Sequence, residues 1–143
     1  MDSVSNVKES AISEVTLHQF SGSETFYRHS LVRNVIFTEG CAFLCENGAA
    51  WLIDEIAIVQ NTKALINEEF QSWELKVDPI GRRGVLIATD GGARETADGT
   101  PIYWELYRKE ILFTDFPLEC IKLFCCANGQ ARNGKTILLT SEY

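Results

Sequence analysis

Gln71-Ser72-Trp73-Glu74-Leu75-Lys76-Val77 is the stretch on which the reading of the chain turns. Trp73, Leu75 and Val77 alternate with Glu74 and Lys76. A period of two puts the first set on one face of a pleated strand and the second set on the other. Downstream, Asp78-Pro79-Ile80-Gly81 turns the chain and Val85-Leu86-Ile87-Ala88 predicts another strand. Asp90-Gly91-Gly92 and Asp98-Gly99-Thr100-Pro101 bracket a polar excursion, read as an exposed hairpin loop. Ile102 to Phe113 predicts a long strand, rich in β-branched and aromatic residues. Ile121 to Cys126 and Thr136 to Thr140 predict a final hairpin closed by Asn128 to Gly134.

Upstream the period is helical or short. Ser13 is a candidate N-cap for two helical turns through Phe20, which Ser21-Gly22-Ser23 ends. Phe26 to His29 and Val32 to Phe37 read as short strands or an extended arm. Thr38 is a candidate N-cap for a helix through Asn47, with Gly48 as its stop. Trp51, Leu52, Ile56 and Val59 recur near helical spacing over Ala49 to Gln60. Helices early and strands late predict an α+β fold. The expected form has N-terminal helices packed on a mainly antiparallel sheet of about five strands. Trp51 and Trp73 are expected between the layers. A compact cupin-like β-roll with helices is the alternative. Residues 1–13 are expected to be a flexible tail and 14–143 a single domain.

The chain has 143 residues, 45% hydrophobic and 23% charged, which is ordinary for a globular domain. Its net charge of −7 disfavours direct binding to phosphate backbones. Asp54-Glu55 split the longest apolar stretch, so no membrane span is expected, and Met1 to Glu14 has no apolar leader core. The five cysteines are an odd number, which fits reduced thiols in a cytoplasm better than a disulfide framework.

Four patterns were weighed for chemistry. Gly129-Gln130-Ala131-Arg132-Asn133-Gly134-Lys135-Thr136 fits G-x-x-x-x-G-K-[ST] letter for letter. A phosphate cradle needs a helix after it, and Ile137 to Thr140 reads as a strand, so a hairpin turn is expected and ATP is not. Cys41 and Cys45 share a helical face but lack the close paired spacings of structural zinc. Cys125 and Cys126 should point to opposite faces of a strand. His18 and His29 sit in no recognised catalytic signature, and the adjacent acids Asp54-Glu55 and Glu68-Glu69 do not form a facing dyad. The sequence therefore assigns no catalytic, cofactor-binding or metal-ligating residue, and no cofactor.

Several blocks together do resemble a family. They are Leu17 to Glu24 with Tyr27-Arg28-His29, Phe37-Thr38-Glu39-Gly40, Trp51 to Ala57, Phe70 to Leu75, Phe113 to Leu118 and Leu138 to Tyr143. The chain resembles a family of small uncharacterised bacterial proteins, largely cyanobacterial and often borne on plasmids or other mobile elements. Longer loops at Gly91–Pro101 and Gly129–Gly134 depart from it. The resemblance implies a bacterial cytoplasmic protein and transfers no catalytic residue. The expected function is a non-enzymatic protein-binding or accessory module, in its sharpest form an inhibitor of a host defence complex. A protein partner is expected, and a homo-oligomer is compatible. The alternative is a small-ligand binder or enzyme in a compact β-roll.

Overall fold

The computed structural model describes residues 11–92 and 94–143. Of the tail expected over residues 1–13, residues 1–10 lie outside the described part. Ile12 is buried, and Ser13 caps a one-turn helix α1 (Glu14–Leu17) by accepting from the Thr16 N–H.

The strands are β1 (Phe26–Arg28), β2 (Val35–Thr38), β3 (Phe70–Val77), β4 (Gly84–Thr89), β5 (Arg94–Glu95), β6 (Pro101–Ile102), β7 (Glu105–Ile111), β8 (Cys120–Ala127) and β9 (Lys135–Leu139). Seven of them form one sheet in the order β1-β2-β9-β8-β3-β4-β7, and β5 pairs with β6 in a separate ribbon. All neighbours in the large sheet are antiparallel except β2 and β9, which are parallel.

One helical run crosses the sheet. It comprises α2 (Glu39–Leu44), a widened turn Cys45–Ala49 and α3 (Ala50–Ile58). Thr38 caps α2 as expected, its hydroxyl accepting from the Cys41 N–H at 3.3 Å. The break falls at Gly48, whose φ of 95° lies where glycine carries no Cβ penalty.

This arrangement corrects the expected fold. The molecule is mostly β, with a seven-stranded mixed sheet in place of N-terminal helices on a mainly antiparallel sheet of about five strands. The cupin-like roll is not formed either, because the large sheet is open and ends in β1 and β7. The physical reason is that local period reports a strand without reporting its neighbour. The short segments before the helix, read as strands or an arm, join the same sheet through β9. Leu52, Ile53, Ile56 and Ala57 of α3 are buried against one sheet face, with Trp73, Leu75, Leu86, Leu123, Ile137 and Val35. Trp73 is fully buried as expected, whereas Trp51 is only half-buried. Ring contact between Trp73 and Tyr107, across Ala88, carries this core to β7.

Candidate functional site

The alternation that defines β3 turns Gln71 inside, where it meets Gln60 from just beyond α3. Gln71 and Gln60, both fully buried, exchange side-chain amide hydrogen bonds at 2.7 and 2.8 Å. The Trp73 indole N–H donates to Gln71 Oε1 at 2.9 Å. Lys135, at 2% exposure, donates through Nζ to the Leu65 carbonyl at 2.8 Å and to Gln60 Oε1 at 3.2 Å. Burial holds its ammonium below the ordinary lysine range. The lysine of the phosphate-loop lookalike is thus committed to buried internal acceptors. Residues Asn128 to Gly134 form the hairpin turn that the sequence predicts, closed by Asn128 N–H to the Gly134 carbonyl at 3.0 Å.

Lys135 is therefore a stability residue. Lys135→Met is expected to cost about 1–2 kcal/mol, the penalty for leaving the buried Leu65 carbonyl without its donor. Lys135→Ala should cost about 3 kcal/mol, since it adds a cavity. Urea unfolding of the two variants checks this order, and equal stability of both with the parent protein would refute it.

Of the two histidines, His29 is also engaged in the fold. His29 is buried, and its Nδ1 accepts from the N–H groups of Leu31 at 3.2 Å and Val32 at 3.0 Å. That fixes the proton on Nε2, which donates to Asp54 Oδ1 at 2.7 Å. Both ring nitrogens are used in tying the 29–32 turn to α3. The adjacent acid Glu55 leaves the other way, to Lys109 Nζ at 2.6 Å. Asp54 and Glu55 do not share a site, as their spacing predicts.

All five cysteines are free thiols. Cys125 is buried and Cys126 half-buried, diverging as a strand requires. Burial pushes Cys125 up to about 12 and, with nearby Asp54 and Glu46, Cys45 up to about 11; it also raises Cys41 well above 9.0. Cys120 shares a shallow cavity with His18, Glu14 and Lys122. Its thiol donates to Glu74 at 3.2 Å, and burial and that carboxylate raise it. A reactive cysteine needs the opposite shift. Among the described residues no group of three or more His, Cys, Asp or Glu side chains is placed to hold a metal ion.

A carboxylate beyond the last predicted strand performs a structural task. Glu142, at 8% exposure, accepts from the Thr38 hydroxyl at 2.6 Å, the Leu139 N–H at 3.0 Å, the Gly40 N–H at 3.1 Å and the Ser23 hydroxyl at 2.8 Å. It sits over the first turn of α2, where the helix favours negative charge. A Cβ at Gly40 would approach Glu142 Oε1 to 2.5 Å, which is why that position is glycine.

What remains unspent is surface. On the face turned from the helices, register places Ile36, Thr136, Cys126 and Phe70 in one row and Leu138, Phe124 and Ser72 in the next. Phe70, Phe124 and Tyr143 pack on one another with centroids 4.9, 5.1 and 5.8 Å apart. Beyond them the face carries Glu74, Lys76, Lys122, Arg108 and Glu110 in mixed array. Beside Phe70 the Gly91–Pro101 excursion is pinned by Asp90, which accepts from Gly92 and Trp104 N–H groups at 3.1 Å and from Arg94 at 2.5 Å. The Arg94 guanidinium lies 3.8 Å over Trp104.

A family model described as a family of unknown function, DUF6876, matches residues 11–143. The chain belongs to that family. The match spans all of the described fold, from Ile12 in the core to Tyr143 on the open face. No curated protein and no solved structure matches the chain. Among the described residues, no helix is long and apolar enough to cross a membrane.

Proposed function

We propose that this DUF6876 member is a non-enzymatic protein-binding module whose recognition surface is the uncovered sheet face. The observation that carries this is the apolar corner formed by Ile36, Phe70, Phe124, Cys126, Leu138 and Tyr143. The five strand residues are half-buried rather than enclosed, and Tyr143 remains 75% exposed on top of the two phenylalanines. Aromatic groups held in contact, with one ring still wet, are what a protein partner buries at a hot spot. Polar groups that catalysis could use are meanwhile engaged in holding the fold: His29, Lys135 and Glu142 each hydrogen-bond internal partners. The alternating charges of Lys76, Lys122 and Arg108 with Glu74 and Glu110 fit a general protein surface better than an acidic mimic of nucleic acid.

A photo-crosslinking residue at Leu138, compared with one at the 92% exposed Ile80 on the β3–β4 turn, tests the reading in cells that make the protein. One protein should be captured stoichiometrically from Leu138 and not from Ile80. A co-purifying small molecule that the protein turns over, with no crosslinked protein, would overturn it.

A further inference from the structure

The long open edge of the sheet, β7, has a pattern of its own. One side of this seven-residue strand pairs with β4, and among the described residues its other side faces no strand. Such an edge is a template for another strand, and proteins commonly guard it with charge or a bulge. A register shift at Ala88/Thr89 leaves Leu106 without an opposite partner, which confines the regular part to Tyr107–Ile111. Apolar side chains stand exposed at both ends: Tyr103 and Trp104 at 63% and 52%, Leu112 and Phe113 at 78% and 70%.

We propose that this edge pairs with a second copy of the chain, antiparallel, with Lys109 on the twofold axis. Opposite residues in an antiparallel ladder point to the same face, so the axis must pass through a residue rather than between two. Centring on Arg108 sets arginine against arginine, and centring on Glu110 sets glutamate against glutamate. Centring on Lys109 instead sets Arg108 against Glu110 of the second copy, twice, on the open face. It sets Tyr107 against Ile111, twice, on the helix face. The two axial lysines are each already neutralised by Glu55 of their own chain at 2.6 Å. Antiparallel pairing also brings the Tyr103–Trp104 end of one copy to the Leu112–Phe113 end of the other, which covers both exposed apolar fringes. The two copies would build one continuous sheet with both uncovered faces on the same side. The inference uses the edge and not the open face, so its failure leaves the binding reading standing.

Charge swaps read the register directly. Sedimentation at about 100 μM, a concentration that populates even a micromolar dimer almost fully, should find the full-length protein dimeric. Arg108→Glu alone and Glu110→Arg alone should each weaken association by about 100-fold, because each creates two like-charge contacts. An equimolar mixture of the two single variants should restore the dimer, since every contact then becomes attractive. The double variant should restore it too. Both positions are exposed, and circular dichroism confirms that the variants are folded. A monomeric parent protein overturns the proposal. So does a dimer that the single swaps leave intact, or a mixture that stays monomeric.

Discussion

Glu142→Ala is expected to cost about 4 kcal/mol of stability. The carboxylate accepts four hydrogen bonds from three separate segments, Ser23, Thr38–Gly40 and Leu139. A hydrogen bond to a charged group contributes about 1.5–3 kcal/mol, and a buried donor left without an acceptor costs about 1–3 kcal/mol. The Gly40 and Leu139 N–H groups become such donors in the alanine variant. The Thr38 hydroxyl can still cap α2 through Cys41, so the loss stops short of the full sum. Glu142→Gln keeps one acceptor oxygen and should lose about half as much. Urea unfolding measures both. A loss below about 1 kcal/mol for the alanine variant would mean that water replaces the carboxylate at no penalty.

The second large effect is alkaline. Cys41 and Cys125 are both fully buried, and burial raises both thiols, Cys125 to about 12. A raised folded-state value means that the unfolded chain loses its proton first. The stabilisation is complete below pH about 9 and drains as pH rises towards the folded values, by about 1.4 kcal/mol per pH unit for each thiol. Lys135 works in the opposite direction. Its depressed folded value makes the unfolded chain bind more protons up to about pH 10.4, so stability is gained there as pH rises. Part of the thiols' loss is thus offset until about pH 10.4, and the decline steepens above it. A net loss of at least about 2 kcal/mol is expected between pH about 9 and 10.5. Replacing both thiols, Cys41→Ala with Cys125→Ala, should make the decline over that window much shallower, leaving the contribution of Cys45. A parent protein whose stability stays flat from pH 8 to 11 would show that the thiols ionise without unfolding.

Much of the strand content was legible from the chain. Trp73, Leu75 and Val77 alternate with charge and lie on the buried face of β3. Asn128 to Gly134 joins two apolar runs and makes a hairpin, and Thr38 precedes a helix and caps it. What could not be read was pairing over distance. Nothing in Val35-Ile36-Phe37 names β9 as a parallel neighbour, so the sheet was undercounted and the early helices overweighted. The polar interior was illegible for a related reason. Gln60, Gln71 and Lys135 look like surface residues in any periodic pattern, and only the crossing of α3, β3 and β9 makes them each other's partners. Glu142 lies beyond the last predicted strand, and its task exists only because residues 139–142 return to the start of α2. The candidate surface was not legible: Phe70 and Phe124 share a face only through the pairing of β3 with β8.

The place of β9 between β2 and β8 has a consequence for how a nascent chain acquires this structure. Val35 pairs with Lys135, about a hundred residues later. Until β9 has been synthesised, the β1–β2 ribbon has no sheet to join, and β8 can pair only with β3. Contacts between remote segments are slow to form because closing the intervening loop comes before any reward. The α2 turn, which depends on Glu142, waits for the same event. Emergence of β9 is therefore the step that joins the two halves of the sheet, and until then Val35 and Phe37 present an unsatisfied edge to whatever chaperone holds the chain.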